Sequence, residues 1–403
     1  MARALRASFL SPTPRTTRMV SRGLFGRRNG SNSCYQALSA ETTKCYHIDD
    51  YYNSFSIVSE VIKDKLPNGV IYQFSPIDVP AVVDAFLTYW NPTAVFLMES
   101  ELWPNLVLSA SEKGIIVALL NARVSIKSFK LWSGTVGLPL VSLMLSKFSL
   151  IAPLSTLEGI HFQLLQASPY AVHFAGDLKY AIGEVDVSET ECKKVEDMQL
   201  LLSHRQIWMA SSLHMGEEQV MIWVLQSLLQ IYPDMVTVIV PRHPQDGQHM
   251  ALAIRNAGLN VVMRSHDQKI LPSTNFYIVD TLGELRSLYR LTPIAVIGGS
   301  FIPGLAGHNI SEAAASGCAV LTGPHVGHFS HMVMGMQRVN PVSVQQVAGK
   351  EELLEALKVL FANGGALKLH RAAAREASLA LSKGVVENVW KLINTRLQSS
   401  NWF

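Results

Sequence analysis

Three strings in the second half of the chain carry groups suited to recognising phosphate and hydroxyls. Arg242-His243 follows the apolar run Val236–Val240, Gly283-Glu284-Leu285 follows Phe276–Val279, and Asn309-Ile310-Ser311-Glu312 follows Ile294–Ile297 and a glycine-rich loop. A guanidinium such as that of Arg242 offers a planar fork of donors that matches phosphate. The loop from Gly298 runs into an alanine-rich segment closed by Ser316-Gly317, and a loop-to-helix junction of this kind presents unpaired N–H groups to an anion. Glu312, one turn into that helix, can accept hydrogen bonds from two sugar hydroxyls. The plainer reading is an ordinary strand–helix–strand turn whose glycines serve packing.

The first half supplies Glu99 and Glu101 after Ala94–Met98, Arg123 after Ile115–Leu120, and Lys179 after Val172–Phe174. Carboxylates two residues apart cannot share a helix face, so one of the two glutamates is expected to face a ligand. Lys179 can stabilise negative charge on a leaving group or be a loop lysine at the surface. His214 lies in SSLHMGEE, where the serines are expected to cap the next helix. No metal is expected: Cys34, Cys45, Cys192 and Cys318 lie far apart, and His243, His308, His325 and His328 show no ligand spacing. The absence of GxxxxGK[ST] argues against ATP hydrolysis, and no GxGxxG follows a first strand, which argues against NAD or FAD. No cofactor is therefore expected. A nucleotide-sugar donor, with one phosphate, one ribose and a sugar, suits these groups.

Strand and helix patterns alternate throughout, which implies parallel sheets. Polar residues at strand carboxyl ends then sit where open α/β sheets bind ligands. Strands are expected at Val70–Phe74, Ala94–Met98, Ile115–Leu120, Leu150–Ala152 and Val172–Phe174, then at Ile207–Ala210, Val236–Val240, Leu259–Met263, Phe276–Val279, Ile294–Ile297 and Ala319–Thr322. The charged stretch 183–205 reads as a linker with an amphipathic helix, and 384–398 as a terminal amphipathic helix. The length of 403 residues allows two domains, and 48% apolar with 16% charged residues indicates a core-rich protein. A net charge of +3 gives no sign of nucleic-acid binding. No apolar run reaches the roughly 18 residues of a transmembrane helix. Leu131–Ser146, between Lys130 and Lys147, comes nearest and reads as a buried helix rather than a membrane-surface segment. Residues 1–40 lack Asp and Glu and carry seven arginines, the composition of a mitochondrial presequence.

Taken in order, FLMESELWPNL (96–106), NARVSIKSFK (121–130), GDLKY (176–180), SSLHMGEE (211–218), VPRHP (240–244), DTLGEL (280–285), GGSF (298–301) and GHNISEAAASGCAVLTGPH (307–325) resemble the motifs of the 3-deoxy-D-manno-octulosonic acid (Kdo) transferases. The resemblance implies an α/β, GT-B fold with two Rossmann-like domains facing across a cleft. It implies CMP-Kdo as donor, a lipid A precursor at a membrane surface as acceptor, and inverting transfer without a metal. By motif, Arg242, His243, Gly283, Glu284, Leu285, Asn309, Ile310, Ser311 and Glu312 would bind CMP, while Glu99 and Lys179 would stabilise the transition state. The family usually reads Asn-Pro-Leu-Glu where this chain has Asn309-Ile310-Ser311-Glu312.

Family members begin with an apolar membrane anchor and a strand running into a Ser-Val-Gly-Glu turn, whose glutamate is the general base. Here Ser59-Glu60 lacks the glycine and lies ten residues before Val70. No general base is therefore assigned, and the N-terminal sheet is expected to lack its first strand. The expected organisation is a mitochondrial presequence over 1–40, an acceptor-side domain over 41–190 and a CMP-sugar donor domain over 191–403, in a protein peripheral to the inner mitochondrial membrane. A weakly active or inactive isoform that still binds the CMP-sugar is one alternative. A nucleotide-sugar epimerase is another, disfavoured by the ESELWPN and NAR strings.

Overall fold

The computed structural model describes residues 70–71, 73–181, 202 and 204–399. The expectations for the presequence, for Ser59-Glu60 and for most of the 183–205 linker lie outside these residues. The chain forms two compact units, one running to Leu178 and resuming at Gly384, the other spanning Lys179–Lys383.

The first unit contains α1 (Pro80–Trp90), β1 (Ala94–Met98), α2 (Pro104–Glu112), β2 (Ile116–Ala122), α3 (Ile126–Trp132), α4 (Gly137–Leu145), β3 (Leu150–Pro153) and α5 (Thr156–Leu164). Its strands pair in parallel in the order β1-β2-β3. Successive side chains of a strand point to opposite faces. Accordingly Val95, Leu97, Val117 and Leu119 pack with α1, α2 and α4, while Phe96, Ala118 and Leu120 line the other face. Asp78 does not cap its own helix. Its carboxylate accepts from the Asn105 and Leu106 N–H groups at the start of α2, at 3.1 and 2.8 Å, which anchors the WPNL motif.

Several sequence expectations change here. Gln73 and Phe74 are irregular rather than a strand, and Pro76 just beyond lacks the N–H that a ladder needs. Val172–Phe174 contracts to a single parallel bridge between Ile151 and Val172. The apolar stretch from Leu131 is two helices, α3 and α4, bent by 103°. A side chain at Gly137 would place its Cβ 2.5 Å from the Leu131 carbonyl oxygen, so the tight bend requires glycine. Among the described residues no single helix is long and apolar enough to cross a membrane.

The second unit runs β4 (Ile207–Leu213), α6 (Glu218–Leu229), β5 (Val236–Pro241), α7 (Gly247–Asn256), β6 (Val261–Met263), β7 (Phe276–Ile278), α8 (Leu285–Leu291), β8 (Ile294–Ile297), α9 (Ser311–Ala315), β9 (Ala319–Thr322), α10 (Ser330–Val339), β10 (Val344–Gln346), α11 (Lys350–Ala362) and α12 (Gly364–Ser382). The sheet is parallel in the order β10-β9-β8-β4-β5-β7-β6. Trp208, Ala210 and Leu213 pack with α6, α7 and α11 on one face. Ile207 and Met209 pack with α9, α10 and α12 on the other. Strand β10 is unanticipated, because Val-Gln-Gln offers one buried residue and no apolar run.

The last helix, α13 (Val385–Ser399), belongs to the first unit, whereas the sequence reading assigns 191–403 to one domain. Its Val389 and Ile393 pack with Ala94, Phe96, Leu150 and Ala152 on the face of the first sheet. The i, i+4 apolar spacing of that helix matches the face it covers. Ile393→Ala should therefore destabilise the first unit by about 2–4 kcal/mol. This would be read as a lower urea midpoint, with Lys391→Ala on the exposed side as the unaffected control.

Candidate functional site

Ligands of open parallel sheets gather at the carboxyl ends of the strands, where the strand order reverses. In the second unit β4 has β5 on one side and β8 on the other, so the segments leaving these three strands meet at the switch point.

The segment after β4 is set by a bulge. Ser212 has φ 56° and the register shifts between Ser211 and Leu213. The serines expected to cap a helix instead lie in β4, and the buried Ser211 Oγ stands 2.8 Å from Tyr289 Oη. Capping fails because the strand continues through both serines and α6 does not begin until Glu218.

Glu217 does what the sequence does not announce. It is fully buried, and its Oε2 accepts from the N–H groups of His214 at 2.9 Å and Gly299 at 2.7 Å. Its Oε1 accepts from Ser300 and Phe301, both at 2.9 Å. The N–H groups at the start of the glycine-rich loop after β8 are thus taken by a carboxylate of the chain itself. The loop is fixed further by Ser300, whose hydroxyl donates to the Ile297 carbonyl at 2.6 Å and accepts from Gly323 N–H at 2.8 Å. A Cβ on Gly323 would lie 2.3 Å from the Ser300 carbonyl oxygen, so the two loops meet at a distance only glycine permits.

Beside this loop three imidazoles gather. His214 and His308 stack with centroids 5.0 Å apart and Nε2 atoms 2.8 Å apart. His243 stands edge-on to His214 with centroids 6.0 Å apart. Burial, and then the neighbouring His214, Arg242 and His243, push the His308 pKa down to about 4. Burial also lowers that of His214, with His243 and Arg242 acting the same way against Glu217 and Asp246. Arg242 is exposed immediately after β5, and its guanidinium makes no ion pair among the described residues.

The other residues singled out from the sequence are placed as follows. Gly283 has φ 88°. Glu284 is ion-paired with Arg264 at 3.2 Å, and Leu285 opens α8. The Asn309 side-chain oxygen accepts from Ser311 N–H at 2.9 Å, and the Ser311 hydroxyl lies 2.8 Å from the Lys179 carbonyl oxygen. Ile310 is buried and Glu312 half-buried. The Lys179 ammonium stands 5.4 Å from the centre of the Phe329 ring. In the first unit, Glu99 adopts φ 56° at the end of β1 and accepts from Arg123 Nε at 2.9 Å. Ring contacts thus join His243 to His214 and His214 to His308, with Arg242 acting on both through its charge, while Glu284 and Glu99 are each held by an arginine. His214 and His308 both stand in the quoted strings. Their pairing across 94 positions has no local signature, and neither does the reach of Glu217.

A family model described as 3-deoxy-D-manno-octulosonic-acid transferase matches residues 57–182. A probable mitochondrial Kdo transferase of Arabidopsis thaliana is 54% identical over 339 residues, covering 84% of this chain and 76% of that one. The chain belongs to the Kdo transferase family. The Haemophilus influenzae Kdo transferase is 28% identical, covering 80% of this chain and 78% of its own. A glycosyltransferase of Rickettsia africae shares the fold, with a TM-score of 0.56 and 15% identity over 85% of this chain and 88% of that one. The chain is thus a glycosyltransferase of the GT-B type with parallel α/β sheets, and the family settles the choice against an epimerase.

The depressed His308 pKa has a signed consequence. The unfolded imidazole, near 6.5, binds more protons than the folded one between about 4 and 6.5. Stability of the second unit should therefore fall as the pH drops through that window. His308→Asn should make the slope shallower, as urea midpoints at pH 7 and pH 5 would show.

Proposed function

We propose that this chain transfers Kdo from CMP-Kdo to a lipid A-type glycolipid precursor with inversion. The observation that carries the reading is the cluster at the switch point. A family glycosyltransferase places the unpaired fork of Arg242, with His243 beside it, directly at the end of β5. In such a transfer the bond from the anomeric carbon of Kdo to a phosphate oxygen of CMP breaks as the acceptor hydroxyl attacks the opposite face. The hydroxyl proton passes to water as the new bond forms, and negative charge grows on the departing phosphate. Donors already positioned where charge develops contribute most, and Arg242 with His243 fills that role. Gly283–Leu285 and Asn309–Glu312 complete the CMP site, with Glu312 on the ribose hydroxyls. Lys179 and Glu99 stabilise the transition state, the latter with its carboxylate oriented by Arg123.

The location follows from two supports. The Arabidopsis relative is named mitochondrial, and residues 1–40 have the arginine-rich, acid-free composition of a presequence. A lipid acceptor places the enzyme at the surface of the inner membrane.

The test is Kdo transfer by the purified chain from CMP-Kdo to a lipid A precursor. Appearance of the Kdo-bearing lipid with release of CMP supports the reading, and CMP binding without turnover marks a donor-binding isoform instead. Loss of a charged hydrogen bond predicts about 10–100-fold weaker CMP binding for Arg242→Ala. Glu312→Ala should also weaken CMP, and unchanged affinity would remove Glu312 from the site.

A further inference from the structure

We propose that Glu217 restricts the donor to a single phosphate. Its carboxylate is the resident anion of the backbone nest formed by His214, Gly299, Ser300 and Phe301, which leaves a ligand phosphate only the Arg242–His243 side. This rests on the nucleotide-sugar reading above.

Converging backbone N–H groups form an anion site suited to phosphate. Here four of them, at 2.7–2.9 Å, are shared two to each carboxylate oxygen. Glu217 is fully buried, so it cannot swing aside without leaving four donors unpaired. The loop cannot easily reshape around a second anion either. Ser300 ties it to Ile297 and Gly323, and the space beside Gly299 is filled by His308, whose ring would lie 2.6 Å from an added Cβ.

A diphosphate needs two sets of donors. The set beside β8 is closed by a like charge, whereas the exposed Arg242 and His243 at the end of β5 remain for one phosphate. Both carboxylate oxygens are engaged by backbone N–H groups and closed to solvent, so Glu217 does not itself touch a ligand. Glu217 is a positioning residue that sets donor specificity.

The experiment compares CMP and CDP by isothermal titration, and inorganic phosphate by thermal shift, for the full chain and its Glu217→Ala and Glu217→Gln variants. The wild type should bind CMP about tenfold or more tighter than CDP and show only the phosphate-induced rise in Tm that the Arg242–His243 side supplies, which Arg242→Ala removes. Glu217→Ala should bring the two affinities close together and gain a phosphate-dependent rise in Tm beyond that of the wild type, which formate competes away. A merely structural role would change neither the ratio nor the response to small anions. Equal wild-type binding of CMP and CDP overturns the proposal whatever the variants do. A folded Glu217→Ala that keeps the wild-type ratio and gains no phosphate response over the wild type overturns it too. If that variant does not fold, Glu217→Gln decides, since removing the charge at constant size must lower the ratio. A wild type that binds neither nucleotide sinks the donor reading, while the phosphate response of Glu217→Ala still reports on the nest.

Discussion

A carboxylate removed from water must find its hydrogen bonds within the protein, and Glu217 finds four on backbone N–H groups of two segments. The Gly299 and Ser300 N–H groups would otherwise be buried and unpaired, each costing about 1–3 kcal/mol. The glutamate and the loop therefore need each other. Through this pairing the turn after β4 and the turn after β8 become one body, and Ser300 extends it to the turn after β9. The positions of His214 and His308 follow from that body, because one imidazole leaves each segment and the two stack at its edge.

The rest of the site is arranged around this closed nest. Strand order sends β5 and β8 to opposite sides of β4, so Arg242 emerges beside the imidazoles rather than among apolar neighbours. Its positive charge adds to burial in keeping His308 neutral. The result is an anion-seeking edge whose charge is concentrated on one arginine. That suits a donor of the kind proposed, in which a single phosphate is the leaving group. On the first unit, β1 and β2 deliver Glu99 and Arg123 to neighbouring strand ends, where they pair.

Both sheets were legible in the sequence because parallel strands buried on two faces are continuous apolar runs. Ala94–Met98, Ile294–Ile297 and Ala319–Thr322 lie where those runs predict. The failures share a cause, which is dependence on partners far along the chain. Of the run Val70–Phe74, Val70 and Ile71 form bridges while Gln73 and Phe74 have no strand pairing. Val344–Gln346 has the pairing, with β9, without the composition. The motifs brought out Arg242, His243 and Glu312 as candidates. Glu217 reads locally as an acidic residue at the start of a helix, and nothing near it signals a loop more than 80 positions later. The terminal helix was legible as amphipathic, but its stripe did not say which sheet it would cover.

Hydrogen–deuterium exchange of the full chain with and without CMP tests the central claim most directly. The account predicts slow exchange at Gly299, Ser300 and Phe301 in the free protein, because Glu217 already holds those amides. On adding CMP, new protection should appear around Arg242–His243 and Asn309–Glu312 and not at the nest. Fast exchange at 299–301 in the free protein, followed by protection when CMP binds, would contradict it by showing that the ligand and not Glu217 fills the nest.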